Sequence, residues 1–326
     1  MQLIKKLTAL TAIAITCQCT TLLAQDPHFT QFYAGPLYMN PASAGNAICD
    51  ETPAGRATAQ YRNQWPGLTG NYKTFNLSMD QPFDIAHGGI GVQYVRDNQG
   101  SGIITSQSLM TSYSRAAKLN DKFRLRIGFQ FGLANRTLNM NKLRFADQLD
   151  SLLHVDPDNT AAVESITYPS IATGFLLSGK NFYVGGAVFN LNQPNWSFYR
   201  NPNEFQPKRI TLHGGYTFKI KDGFSLIPQV QFMKQAIFGE LLLGSNAQIK
   251  NFIAGMWYRK TLRNYRNGNA EAIAVNLGYQ TSAFRFIYSY DLTISDARSV
   301  YPSSHEITLS FTWKTQQKHA AFSVPE

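Results

Sequence analysis

The sequence predicts an all-β fold, a transmembrane antiparallel up-and-down β-barrel of the outer-membrane type with about 14 strands. Three observations carry this reading. Charged residues make up only 15% of the 326-residue chain while aromatics reach 13%, an unusual balance for a soluble domain. No stretch beyond the N-terminal leader stays apolar for the roughly 18 residues that a membrane helix needs. Instead, segments of about 10 residues alternate apolar and polar side chains, the length and period of a tilted membrane strand. A chain that meets lipid without helices can satisfy its backbone N–H and C=O groups only by closing a sheet on itself.

Taken in order, the chain opens with MQLIKKLTALTAIAITCQCTTLLAQ, in which Lys5 and Lys6 precede a short apolar core and then small and polar residues. This is the pattern of a cleaved secretory signal peptide, and cleavage is expected after Ala24. Ala14-Ile15-Thr16 before Cys17 leaves a lipoprotein signal as the alternative, although Thr is a poor residue before an acylated cysteine. Loss of residues 1–24 removes Cys17 and Cys19, so Cys49 would remain without a disulfide partner. Residues 25–55 follow and are expected to form a periplasmic or lumen-plugging segment; Gln25 to Gly45 is rich in aromatics and prolines but has neither helical nor strand periodicity. Residues 56–314 hold the barrel, and 315–326 a periplasmic tail.

The strands are expected at 56–64, 72–81, 87–97, 102–115, 122–135, 166–178, 180–190, 208–220, 222–233, 240–248, 251–260, 271–280, 282–291 and 304–314. In RITLHGGYTFKI, Ile210, Leu212, Tyr216, Phe218 and Ile220 share one face; Arg209, Thr211, His213, Thr217 and Lys219 share the other. KFRLRIGFQFGL sets Phe123, Leu125, Ile127, Phe129, Phe131 and Leu133 against Arg124, Arg126 and Gln130. AFRFIYSYD and HEITLSFTWK repeat the alternation with Phe284, Phe286, Tyr288 and Tyr290, and with Ile307, Leu309, Phe311 and Trp313. Connections alternate in length: 136–165, 191–207, 261–270 and 292–303 follow odd strands, whereas even strands end in short turns near Gly179, Lys221 and Thr281. Such asymmetry predicts short periplasmic turns, longer outer loops and both termini in the periplasm. Trp65, Trp257, Tyr258 and Tyr290 are then expected at an outer aromatic girdle, and Phe218 and Trp313 at an inner one. Pro228 lacks an N–H and predicts an irregular ladder around it.

Catalytic patterns are weak. His87-Gly88-Gly89 and His213-Gly214-Gly215 come without a nucleophile elbow, and Gly89-Ile90-Gly91 lacks the third glycine and helix of a dinucleotide site. The six histidines and Cys49 show no ligand spacing for a metal, so no cofactor is expected. His305-Glu306 reads as a rim or lumen hydrogen-bonding pair rather than a catalytic one. The net charge is +10, of which Lys5 and Lys6 supply two, and an exported chain makes nucleic acid an improbable partner. Arg259, Lys260, Arg263 and Arg266 suggest either a solvated loop or a patch for lipopolysaccharide phosphates or an acidic surface. Arg124, Arg126, Arg209 and Arg285 are expected to face the lumen and pair with Asp and Glu, or to give an open pore an anion preference. The aromatic loop Asn195-Trp196-Ser197-Phe198-Tyr199 reads as a partner contact, an inward fold or a lipid-interface element.

DPHFTQFYAGPLYMNPASAG, residues 26–45, resembles the N-terminal signature of the PorP/SprF family of Bacteroidetes outer-membrane proteins, which runs D-P-x-F-[ST]-Q-[FY] and on to P-x-Y-x-N-P-A-x-[AT]-G. YRNQW at Tyr61 to Trp65, Tyr72-x-Thr74 and the closing block from Tyr288 to Trp313 extend the resemblance over almost the whole mature chain. Ser303-Ser304-His305 departs from a frequent Gly-Ser-His, and the chain continues past Trp313. The resemblance implies a non-catalytic component of the type IX secretion and gliding machinery. Its implied partners are a periplasmic ring lipoprotein and its partner protein, or the C-terminal domain of a large secreted adhesin. Its implied contact residues are Asp26, Pro27, Phe29, Phe32, Tyr33, Tyr38, Asn40 and Pro41 of the N-terminal segment, with Trp196 and Tyr199 of the aromatic loop. A passive outer-membrane channel or solute transporter is the alternative.

Overall fold

The structure, a computed structural model, describes residues 25–50, 52–68, 70–83, 88–142, 163–199, 201–263, 271–295 and 303–315. Its strands are β1 (Ala47–Cys49), β2 (Thr52–Gln64), β3 (Tyr72–Phe83), β4 (Gly88–Gln99), β5 (Ile104–Lys118), β6 (Arg124–Asn139), β7 (Val163–Ser178) and β8 (Phe182–Phe189). They continue as β9 (Arg209–Tyr216), β10 (Phe218–Lys221), β11 (Phe224–Gln235), β12 (Phe238–Ile249), β13 (Phe252–Arg263), β14 (Glu271–Gln280), β15 (Phe284–Thr293) and β16 (Ser303–Lys314). Each pairs antiparallel with its neighbour, and β2 pairs with both β3 and β16, which closes the sheet. With β1 a short inner addition to β2 and β9–β10 one interrupted stave, the barrel has fourteen staves, each overlapping one expected segment.

The interruption has a local cause. β11 stays in register with β12 through Pro228↔Ser245, but its ladder toward β9 stops at Gln229↔Gly215 and resumes with β10 at Leu226↔Phe218. The gap lies opposite Pro228, which has no N–H to give.

Burial is inverted relative to a soluble protein. Phe131, Met256 and Leu277 are 64%, 63% and 62% exposed on the outer wall, whereas Gln60, Asn76, Ser112 and Thr308 are fully buried on the inner one. The outer face is therefore matched to hydrocarbon and the inner face to hydrogen bonding.

Two expectations are corrected. Trp257 is not a girdle residue: it is 1% exposed and points into the barrel. Adjacent strand residues face opposite sides, so Trp257 and Tyr258 cannot share a girdle, and the outward phase of β13 is carried by Phe252, Met256 and Tyr258. The same phase turns Arg259 inward to Asp291, while Lys260 outside pairs with Glu271 at 3.5 Å, so these two do not form one basic patch. Arg266 lies outside the described residues.

Strands β2, β4, β6, β8, β11, β13 and β15 finish at one end of the barrel, here the loop end; β3, β5, β7, β10, β12 and β14 finish at the other, the turn end. Residues 25–49 run through the interior between these ends.

Candidate functional site

The interior segment is short of regular structure because its sequence prevents it. Proline at 36 and 41 starts new turns rather than extending old ones. Phe32–Ala34 forms one 3-10 turn, Pro36–Met39 a single helical turn, and Pro41–Ser43 a second 3-10 turn capped by the Asn40 side chain, which accepts from the Ala42 N–H at 2.9 Å. With few internal bonds of its own, the segment takes its partners from the wall.

At the loop end, the Asp26 N–H donates to Gln235 Oε1 at 2.8 Å, its carboxylate accepts from Gln206 at 3.1 Å, and Arg209 lies 3.7 Å away. Arg209 also covers the Tyr38 ring at 4.5 Å, and the Tyr38 hydroxyl donates to the Pro27 carbonyl. Phe29 packs edge-on against Tyr38, 5.0 Å between centroids. A cleft of about 100 Å³ remains beside these residues, lined by Gln93, Asp97, Gln130, Tyr168 and Asn190 among others.

Below it lies a charged clamp. Glu306 accepts the backbone N–H of Thr30 on one carboxylate oxygen (2.8 Å) and that of Gln31 on the other (2.9 Å). Arg62 donates to Glu306 (2.9 Å), Asp291 (2.8 Å) and the Thr30 hydroxyl (2.8 Å); Arg259 donates to Asp291 (2.7 Å) and to the same hydroxyl. Every member is at least nine-tenths buried, so each charge depends on the others for the solvation it has lost. Four strands, β2, β13, β15 and β16, thus converge on two adjacent residues of the segment.

The next layer is apolar. Tyr33 stacks on Trp257 at 5.3 Å and 15°, Phe32 meets the same indole edge-on at 5.5 Å, and Ala34, Met39, Leu242, Ile253, Ala274 and Ile287 complete the cluster. The Tyr33 hydroxyl accepts from Asn276 at 2.7 Å. Toward the turn end, Asn40 donates to the Phe175 carbonyl at 2.8 Å and lies 3.2 Å from His213 Nε2. Arg126 donates to the carbonyls of Ala42 (3.2 Å) and Ala44 (2.7 Å), and the Gly45 N–H donates to Asp80, which Arg56 also holds. The Cys49 thiol reaches the Ser282 carbonyl in the β14–β15 turn.

Two wall glycines are needed for this fit. A Cβ on Gly128 would fall 2.2 Å from the Ala42 nitrogen, and one on Gly89 2.2 Å from the Ala44 oxygen, both backbone atoms that cannot swing away. Gly128→Val is therefore expected to leave the barrel closed while expelling residues 40–45 from the wall. Limited proteolysis of the folded protein would read this as new cleavage between Pro36 and Cys49; an unchanged digestion pattern would contradict it.

Eight of the ten residues singled out from sequence, Asp26, Pro27, Phe29, Phe32, Tyr33, Tyr38, Asn40 and Pro41, are thus brought together inside the barrel, with Asp26 and Pro27 half-buried beside the loop-end cleft and the other six buried. The other two are at the loop end: Trp196 is half-buried with the Arg136 guanidinium 4.4 Å over its ring, and Tyr199 is 72% exposed. Thr30 and Gln31, the residues held most heavily, were missed, although they occupy the [ST]-Q positions of the signature. Glu306 and His305 sit on opposite faces: Glu306 makes lumen hydrogen bonds in the clamp and His305 lies 2.7 Å from the Tyr288 hydroxyl outside, so the two do not form a catalytic pair. Of the arginines expected to pair in the lumen, Arg209 meets the Asp26 carboxylate, whereas Arg126 donates to the Ala42 and Ala44 carbonyls and the Ser114 hydroxyl. Among the described residues, Lys314 is at the turn end and Asp26 at the loop end.

Among the described residues no group of three or more His, Cys, Asp or Glu side chains could hold a metal ion.

No curated protein matches the sequence. Among solved structures the fold is similar to the CymD monoaromatic hydrocarbon channel, with 12% identity over 88% of this chain and 94% of that one and a TM-score of 0.51. It is similar to a Pseudomonas aeruginosa FadL homologue at 12% identity, 86% and 94% coverage and a TM-score of 0.50. At such identities the likeness concerns the outer-membrane barrel fold. The family model described as type IX secretion system membrane protein PorP/SprF matches residues 21–311, and the chain belongs to that family.

Proposed function

We propose that this protein is a non-catalytic assembly component of the type IX secretion machinery whose own residues 25–49 close its lumen, and that it works through its outer surfaces rather than by passing solute. The observation that carries this reading is the charged clamp: Glu306, Arg62, Arg259 and Asp291 hold Thr30 and Gln31 from four strands in the loop-end part of the lumen. A fourteen-stranded lumen is too wide for wall side chains alone to fill. Here aromatic, hydrogen-bonded chain occupies it.

Residues 1–24 act as a cleaved export signal, the loop end faces the cell exterior, and the turn end with the tail 315–326 faces the periplasm. Partners are the periplasmic ring lipoprotein and its partner protein, or the C-terminal domain of a secreted adhesin. The exposed aromatic Tyr199, with Phe205 at 47% exposure, offers the apolar contact at the loop end. Mild-detergent purification from outer membranes through a tag after Trp313, followed by mass spectrometry, distinguishes the two forms. Recovery of ring proteins supports the first and one large secreted protein the second; a barrel recovered alone contradicts the assembly role.

A further inference from the structure

On the outer wall at the loop end the topology gathers cations that are far apart in sequence. On β3 the outward row climbs from Met79, Leu77 and Phe75 to Lys73; on β4 it climbs from Val92 and Tyr94 to Arg96 and Asn98. On β5 Leu109 gives way to Gln107 and Thr105, and on β6 Phe131 and Leu133 give way to Asn135, Thr137 and Asn139. Each change from apolar to polar happens in one side-chain step, about 7 Å along a strand, which marks the upper edge of the hydrocarbon band. Directly above that edge lies an outward cleft of about 370 Å³, lined by Lys73, Arg96, Asn98, Thr105, Thr137 and Lys142 with their neighbours. Lys142 is fixed across its mouth by a 3.0 Å bond to the Ser101 carbonyl. Among the described residues none of the three cations has a carboxylate within ion-pair distance.

We infer that this cleft binds the phosphorylated headgroup of a glycolipid in the outer leaflet. Three cations surrounded by amide and hydroxyl groups match a phosphate on a sugar, because guanidinium and ammonium take the phosphate oxygens while Asn and Thr take the ring hydroxyls. The apolar ladder Phe75, Leu77, Tyr94, Leu109 and Leu133 immediately below provides a surface for the acyl chains of the same molecule. A soluble anion would use the upper half of this site and leave the apolar half unused. The Arg259–Arg266 region that the sequence suggested for this chemistry is a different place, and its Arg259 is inside the lumen.

The test is native mass spectrometry of the purified full-length protein titrated with diphosphoryl lipid A, with its dephosphorylated form, and with inorganic phosphate. The triple variant Lys73→Gln/Arg96→Gln/Lys142→Gln is compared with Lys118→Gln/Lys122→Gln/Lys250→Gln, which removes the same charge at the turn end. Heat-dependent gel mobility establishes that both fold as barrels. Expected is phosphate-dependent retention of lipid A that falls at least about tenfold in the first triple and is unchanged in the second. Equal loss in both triples, or none in either, overturns the proposal. Inorganic phosphate bound as tightly as the lipid would assign the cleft to a free anion.

Discussion

Replacing residues 26–45 by a flexible Gly/Ser linker of equal length is expected to turn a closed barrel into a conducting one. In planar bilayers the intact protein should show no stable conductance, and the replaced form should show long open events. The barrel itself is expected to survive, because its fourteen staves close through their own ladder and need the segment for none of their strand pairings. The selectivity of the opened form is also fixed by the wall. Among the described residues five buried arginines (56, 62, 126, 209 and 259) are balanced in number by five buried carboxylates (80, 97, 240, 291 and 306), so little anion preference is expected. Strong anion selectivity, or a replaced form that stays shut, would contradict this account of the lumen.

Glu306→Ala should produce the largest effect of any single substitution. It strips Thr30 and Gln31 of the acceptor for both backbone N–H groups and leaves Arg62 with less compensating charge in a buried site. Breaking a buried pair from one side costs about 3–5 kcal/mol. Since the segment is held here but the ladder is not, that cost falls on the seated state of the segment. The expected result is intermittent conductance and new protease sensitivity near Phe29 to Ala34, with the heat-dependent gel shift retained. Glu306→Gln, which keeps one acceptor oxygen, should show a smaller effect. A closed, protease-resistant Glu306→Ala protein would mean that Trp257 and its aromatic partners hold the segment without the clamp.

The fold was legible because a lipid-facing wall imposes a period of two along every strand, and RITLHGGYTFKI or KFRLRIGFQFGL displays it without ambiguity. Even the break at Pro228 could be read, since a missing N–H is a property of the residue itself. FIAGMWYRK could not be phased with the same ease, because both of its faces carry large apolar groups: Phe252 and Met256 face lipid, while Ile253 and Trp257 face Tyr33. An apolar inward face makes sense only once a second apolar surface is known to fill the lumen. The segment's aromatics were recognisable as unusual, yet its path was not. Nothing local ties Asp26 to Gln235, 209 residues away, or Thr30 to Glu306, 276 residues away. The outer cationic cleft was hidden for the same reason, since Lys73, Arg96 and Lys142 become neighbours only through the register of four strands.

Locking the segment in place shows whether the machinery works with the lumen closed. In a Cys49→Ser background, Gln31→Cys and Ser289→Cys replace a pair whose side chains meet at 2.7 Å, and a short thiol-reactive cross-linker can join them. Secretion of the type IX cargo would then be measured before and after cross-linking in cells. Unchanged secretion is expected, because the closed barrel acts through its surfaces; secretion abolished by the cross-link, and restored when a cleavable linker is cut, would show that the segment must leave the lumen.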